Sequence, residues 1–368
     1  MHITSFTATH FRNITQSTIT PCPGVNVIFG ENGQGKTSLL EAIWLFTGCR
    51  SFRCADAREM IQESHDQSHL ATRFISNERE QTAQLDITRR RALTLNGFAQ
   101  ETPRRMLGVF PAVAFTPATL SLAQGGPGER RRFLDVALSM LTPAYAVRLS
   151  KYLKALAQRN ALLRQPNPNL ELLETWDETL AHQAAQLTAA RLNYLTQLIP
   201  AAAELYTGIS AGRETLGIEM QLSGLAEPST ETYLRAYEKS RQTDLRRQTT
   251  TIGPHRDDLY LTLNRAQRSV AATSQALRDF GSQGQQRTAA LALKLAEATV
   301  LRQTTGECPI ALLDDVLSEL DARRQADLLH YLDGWQVFLT CCEPSHALHG
   351  RAGQVIEVQD GNIVAANL

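Results

Sequence analysis

Gly30, Gly35, Lys36 and Thr37 fit the spacing G-x-x-x-x-G-K-[ST]. The apolar run Val25-Asn26-Val27-Ile28-Phe29 precedes the motif, and Ser38 to Ile43 follow with helical periodicity, so it reads as strand, loop, helix. That order suits phosphate chemistry. A glycine-rich loop can turn its backbone N–H groups around an anion, and the next helix aims its positive end at the same charge. Gly30, Glu31, Asn32, Gly33, Gln34 and Gly35 are therefore the candidate cradle for ATP, with Ser38 beside it. Lys36 should reach the β and γ phosphates and take part in catalysis, and the Thr37 hydroxyl should ligate Mg2+.

A metal-binding end is supplied near the other terminus. Ile310 to Leu313 read as a short buried strand that delivers Asp314 and Asp315 to its C-terminal edge, where open α/β sheets place their ligands. Asp314 is the candidate Mg2+ ligand, directly or through water. Asp315 is the candidate base that orients or polarises the attacking water, since in-line phosphoryl transfer depends mostly on positioning and charge placement. An apolar run ending in Asp is also a common helix N-cap, so this pair gains its meaning from the phosphate loop.

Between these two lies Phe280-Gly281-Ser282-Gln283-Gly284-Gln285-Gln286-Arg287, set before a helical stretch from Thr288 to Leu301. Ser282-Gln283-Gly284-Gln285 resembles the signature loop of ATP-binding-cassette ATPases. That resemblance implies that Ser282, Gly284 and Gln285 contact the γ phosphate held by a second copy of the chain, which makes an ATP-dependent homodimer. Taken alone, the tetrapeptide reads better as a plain turn.

Further residues narrow the resemblance. Thr251-Ile252-Gly253-Pro254-His255-Arg256-Asp257-Asp258, the stretch Ser282 to Thr288, and Leu312 to Asp321 are similar to motifs of the RecF family of bacterial recombinational repair proteins. Phe11-Arg12-Asn13 and Gly125-Gly126-Pro127 with Arg130-Arg131-Arg132-Phe133-Leu134-Asp135 fit the same family. The resemblance implies Arg12 as a nucleotide contact and Thr340 in place of the switch histidine of transporters. It further implies a weak, DNA-stimulated ATPase in the cytoplasm that acts at single-strand gaps, on duplex and at junctions. RecO and RecR would be its partners, and it would support recombinase loading, replication and the SOS response. Two departures stand out. Pro117-Ala118-Thr119-Leu120 lacks the acidic residue the family usually carries after that proline, and no counterpart of the cassette glutamine that senses Mg2+ is identified.

Composition bounds the alternatives. With 368 residues, 43% hydrophobic content and no long apolar run, the chain can bury one large core and a smaller lobe, and no membrane anchor is expected. The start, Met1 to Phe6, lacks the basic and apolar regions of a signal peptide. The six cysteines show no metal-ligand spacing, which reads as thiols in a reducing compartment. Lys plus Arg equal Asp plus Glu at 37 each, so any nucleic-acid surface must be local. Candidate patches are Arg89-Arg90-Arg91, Arg104-Arg105, Arg130-Arg131-Arg132 and Arg246-Arg247. A transporter subunit would place the signature far closer to the phosphate loop, and a nuclease-associated ATPase would carry long coiled arms. A nucleotide-switched scaffold without productive turnover is a third reading.

The expected fold is α/β, a P-loop NTPase of ABC type assembled from both termini, with a flanking antiparallel sheet and an inserted helical lobe. The core should comprise residues 1–126 and 209–368, and the lobe 127–208. Alternating residues between about 65 and 100, closed by Asn96-Gly97, predict the antiparallel sheet. Leu149, Leu153, Leu156, Asn160 and Leu163, then Leu173, Trp176, Leu180, Gln183, Leu187, Ala190 and Tyr194, predict two paired helices broken at Pro166-Asn167-Pro168-Asn169. Their arms should reach ~25 to 35 Å at 1.5 Å per residue.

Overall fold

A computed structural model describes residues 1–54, 56–225, 227–265, 275–342 and 352–367. The chain begins with β1 (His2–Phe11), β2 (Ile14–Ile19), β3 (Val25–Phe29), α1 (Lys36–Trp44), β4 (Ser68–Ser76), β5 (Arg79–Ile87), β6 (Arg91–Leu95), β7 (Phe98–Gln100) and β8 (Ala112–Phe115). There follow α2 (Ser121–Gln124), α3 (Pro127–Leu141), α4 (Pro143–Leu163), α5 (Leu170–Ile209), β9 (Glu214–Gln221), α6 (Thr230–Arg247), β10 (Asp258–Arg265), β11 (Gln275–Ala276) and α7 (Leu277–Phe280). It closes with α8 (Gln283–Thr305), β12 (Ile310–Asp314), α9 (Ala322–Tyr331), β13 (Val337–Cys341), β14 (Ala352–Gln359) and β15 (Asn362–Asn367).

Two compact units result: residues 1–119 with 297–368, and residues 120–296. The first holds a six-stranded sheet in the order β15-β14-β3-β13-β12-β8. β14, β3, β13, β12 and β8 run parallel, and β15 pairs antiparallel with β14. Strand β12 is buried at every position, and β13 at all but its last, as expected of a parallel sheet covered on both faces. The N- and C-terminal segments are joined at depth by Gln336, which accepts from the Ile3 N–H and donates to the carbonyls of Ile3 and Cys22.

A second six-stranded sheet, β2-β1-β4-β5-β6-β7, is antiparallel throughout. In β4 every second residue, Ser68, Leu70, Thr72, Phe74 and Ser76, is buried, the period-2 pattern of a half-covered strand. The sheet is wider than the 65–100 segment alone predicts, because β1 and β2 complete it from the N-terminus. Phe6 and Phe74 fasten it to the nucleotide layer through Phe46 and Phe110, with ring centroids 5.1 to 6.2 Å apart.

The second unit contains the helical hairpin α4–α5, broken between Leu163 and Leu170 as expected. It also extends well past residue 208, to Ala296. The reason is electrostatic as well as apolar. Buried Arg159 pairs with Asp177 and Asp244, Arg191 with Asp135 and Asp257, and Arg130 with Asp258, tying residues after 209 to α3, α4 and α5. The stripe on α4 differs from the expected one at Leu153, which is 47% exposed, while Tyr152 next to it is buried against His255. Helix α5, with 40 residues, is about 60 Å long and exceeds the expected arm because it continues to Ile209. All six cysteines are free, and among the described residues no helix is long and apolar enough to cross a membrane.

Candidate nucleotide site

The site begins where β3 ends. Gly30, Gly33 and Gly35 hold φ values of 153°, 84° and 113°, so the loop turns through backbone conformations that L side chains rarely adopt. Gly30 is additionally constrained by contact, since a Cβ there would lie 2.3 Å from the Val358 carbonyl oxygen. Lys36 is buried and its ammonium donates to the loop carbonyls of Gly30 and Glu31. It thus lies along the inside of the loop at the start of α1.

Thr37 and Asp314, far apart in sequence, meet here. The Thr37 hydroxyl donates to Asp314 Oδ1 at 2.7 Å. Buried Thr340 donates to the same oxygen at 3.0 Å, and its own Oγ accepts the Asp315 N–H at 2.9 Å. Thr340, on β13, therefore fixes the turn that leaves β12, where Asp315 takes a left-handed φ of 52°. Burial raises the pKa of Asp314, and the neighbouring Asp315 carboxylate adds to the rise, while the donors from Thr37 and Thr340 and the charge of Arg53 oppose it. A hydroxyl and a carboxylate at hydrogen-bond distance are hard oxygen donors, which suit Mg2+.

Arg12, Asn32, Gly33, Gly35, Lys36, Thr37, Ser38, Asp314, Asp315 and Thr340 all line one cavity of about 570 Å3. Gln34 is held differently. Its side chain accepts from the Asp360 N–H and its carbonyl from the Gly361 N–H at 2.9 Å, so the β14–β15 turn braces the loop. Ser282, Gly284 and Gln285 belong to the second unit. Ser282 Oγ accepts from the Gln285 N–H, and the Gln285 side chain accepts from the Ser282 N–H, a reciprocal capping box at the start of α8. Gln285 also donates to Glu214. Ser282 is exposed, as is Phe280, at 67%, two residues before it.

Four residues of the site were not among the candidate ligands read from the sequence. Glu41 on α1 is fully buried and accepts from Arg12 Nε at 3.1 Å and Nη2 at 2.9 Å, and from the Ser51 hydroxyl. Arg53 lies 3.6 Å from it and lines the cavity. Burial works against the Arg12 cation, but Glu41 outweighs it and the pKa of Arg12 is raised. Asn13 shares the β1–β2 turn with Arg12, donates to the Gly33 carbonyl at 2.7 Å and accepts from Ser38 at 2.8 Å. Gly361 completes the set, because a Cβ there would sit 1.9 Å from the Asn13 carbonyl oxygen. The visible signals were an acid within the apolar run Leu39 to Ile43 and an Asp-Gly pair between alternating residues.

The arginine patches separate on inspection. Arg130 is buried in a bidentate pair with Asp258, at 2.7 and 2.8 Å, and Arg131 donates to the Asp257 carbonyl. This corrects the expectation that the Arg130-Arg131-Arg132 run is an open basic patch: its first two members hold the second unit together.

Residues 2–361 match the family model of the RecF/RecN/SMC N-terminal domain. The DNA replication and repair protein RecF of Heliobacterium modesticaldum is 37% identical over the full length of both chains. The protein of the same name from Lachnoclostridium phytofermentans is 36% identical over 93% of this chain and 92% of its own. A solved structure described as the recombination mediator protein RecF-ATP in the RecFOR pathway superposes with a TM-score of 0.89 at 31% identity, over 100% of this chain and 98% of that one. An Smc head bound to the C-winged helix domain of ScpA shares the fold, with a TM-score of 0.59 at 15% identity, over 100% of this chain and 98% of its own.

Proposed function

This chain belongs to the RecF family of RecF/RecN/SMC N-terminal domain proteins, and on that premise we propose that it is an ATP-gated DNA clamp of replication and recombinational repair. The observation that carries the reading is the meeting of Thr37 and Asp314 at 2.7 Å beside a glycine loop whose lysine lies along its inner side. ATP would lie along residues 30–38, with Arg12 and Thr340 at the cavity wall. Thr37 and Asp314 would hold Mg2+, which when bound offsets the negative charge of the β and γ phosphates. Lys36 places positive charge on the same oxygens. Asp315, whose carboxylate takes no hydrogen bond from the described residues, is free to accept a proton from an attacking water.

The second unit's exposed end supports dimerisation. Ser282 and Gly284 stand at the N-terminus of a 23-residue helix, and Phe280 leaves an apolar face beside them, an arrangement suited to covering a phosphate held by another copy. ATP would then join two copies head to tail and close them on DNA, and slow, DNA-stimulated hydrolysis would release them. Action at single-strand gaps, on duplex and at junctions in the cytoplasm, with RecO and RecR in recombinase loading and the SOS response, completes the proposal.

The test is molar mass in solution for the wild type, Asp315→Asn and Ser282→Ala, with and without Mg-ATP and a gapped duplex. Wild type should shift from monomer to dimer with ATP, Asp315→Asn should stay dimeric, and Ser282→Ala should bind ATP yet dimerise weakly. A mass indifferent to ATP would reduce Ser282-Gln285 to a helix cap and end the clamp reading.

A further inference from the structure

Arg130 and Arg131 are committed to pairs inside the second unit, whereas the nucleotide-binding unit carries a basic cluster of its own. The turn between β5 and β6 carries Arg89 and Arg90, β6 opens with Arg91, and Arg104 lies on the 3-10 turn Pro103–Met106 that follows β7. These four arginines line a single cavity of about 650 Å3, with Asp56 the only carboxylate among the described residues that line it. Among the described residues, the side chains of Arg89, Arg90 and Arg104 make no ion pair, and all three are exposed. Arg91 is the exception, anchored by donation to the Cys49 carbonyl at 2.7 Å. Its pKa is lowered, by burial first and also by the like charges of Arg50 and Arg104.

In a chain of zero net charge such a cluster is not a by-product of bulk basicity, and it gathers positive potential where an anion could enter. Planar guanidinium forks match phosphate oxygens two at a time, so several forks around one cavity suit a ligand that presents phosphates. The cavity is also tied to the nucleotide site by one short segment: Arg53 and Glu59 line the nucleotide cavity, Asp56 and Ala57 the basic one.

We propose that the pocket formed by Arg89, Arg90, Arg91 and Arg104 seats the phosphodiester backbone of DNA, an assignment that rests on the clamp reading above. Contacts of this kind position a duplex without reading its sequence, so the pocket should be indifferent to base composition.

The experiment measures binding of a fluorescent gapped duplex in Mg-ATP across a series of salt concentrations, for wild type, Arg89→Ala/Arg90→Ala, Arg89→Ala/Arg90→Ala/Arg104→Ala, and the control Arg246→Ala/Arg247→Ala, which matches the double variant in charge. Arg91 is left intact because it also supports Cys49. The triple variant should bind DNA about 10- to 100-fold more weakly, with the slope of log affinity against log salt reduced by about 2 to 3, roughly one for each lost phosphate contact. ATP affinity and thermal midpoint should match the wild type, and two duplexes of different sequence should be affected alike. Wild-type DNA binding with an unchanged slope in the triple variant, or a loss in the double variant no greater than in the control, would overturn the assignment. So would a variant that keeps DNA but loses binding to polyglutamate, which would mark the pocket as a seat for an acidic protein segment. A wild type that ignores DNA altogether would instead sink the clamp reading on which the assignment rests.

Discussion

Replacing Glu41 by Gln should weaken the site more than any change to its surface. The carboxylate is fully buried and receives two charge-assisted hydrogen bonds from Arg12, one from Ser51 and the nearby charge of Arg53. An amide keeps the shape but offers one acceptor in place of two, and turns its NH2 group toward a cation. Breaking a buried ion pair by removing one partner costs about 3 to 5 kcal/mol. The Arg12 side chain is 16% exposed and can recover some hydration, which brings the expected cost to about 2 to 3 kcal/mol, a factor of roughly 30 to 150. The loss should appear locally. Amides in the middle of α1 should exchange faster with solvent by that factor in the nucleotide-free protein. ATP affinity should fall about tenfold, the scale of one lost hydrogen bond, because Asn13 shares a turn with Arg12 and holds both Gly33 and Ser38. Arg12→Ala and the double variant close a thermodynamic cycle in which the two changes should be strongly non-additive. Additive effects, or α1 exchange like the wild type in Glu41→Gln, would refute the view that this ion pair braces the phosphate loop.

Two other perturbations follow from the same geometry. Thr340→Val removes the acceptor of the Asp315 N–H and a donor to Asp314, and should lower ATP turnover about 10- to 100-fold with ATP affinity little changed, while Thr340→Ser restores it; steady-state phosphate release measures both. His255 sits between Tyr152 and the Thr250 carbonyl, and burial, with the charges of Arg256 and Arg131, lowers its pKa from 6.5 to about 4. Since the unfolded chain takes up the proton below about 6.5 and the folded one resists until about 4, stability is fully present above the first value. It should be lost by about 2 to 3 kcal/mol as the pH falls toward the second. Urea unfolding at pH 7.5 and 4.5 should show that loss in the wild type and a smaller one in His255→Gln.

The sequence made the ligand legible because phosphate chemistry is written in local spacing: residues 30–38 and the pair Asp314-Asp315 stand where strand ends predict. What it hid was each group whose role depends on a distant partner. Asp258 lies 128 residues from Arg130, and nothing in Arg130-Arg131-Arg132 distinguishes a surface patch from a buried brace. Leu153 fits a helical stripe as well as Tyr152 does, and only the position of His255 decides between them. The lobe boundary at 208 failed for the same reason, since Asp244 and Asp257 count as loop or helix polar residues until Arg159 and Arg191 are seen beside them. Ser282-Gln283-Gly284-Gln285 shows the converse. A capping box and a phosphate-sensing loop require the same residues at a helix start, so the local structure cannot separate them, and the partner copy must.

The geometry around Asp314 favours a switch over a tight nucleotide store. Its Oδ1 accepts from Thr37 and Thr340, and Lys36 is satisfied by the carbonyls of its own loop. Binding Mg-ATP therefore exchanges existing hydrogen bonds for new ones, and the net gain is the difference between two well-satisfied states. If Thr37 and Asp314 hold Mg2+, the Thr37 hydroxyl would give up its bond to Asp314, and Thr340 would remain to hold the Asp314–Asp315 turn. Burial, and to a smaller extent the neighbouring Asp315, raise the pKa of Asp314, so a cation held there would offset a carboxylate charge that burial disfavours. A site built this way couples occupancy to the position of the candidate base. On the proposed reading, loading Mg-ATP would set where Asp315 points, and hydrolysis would remove what held it there.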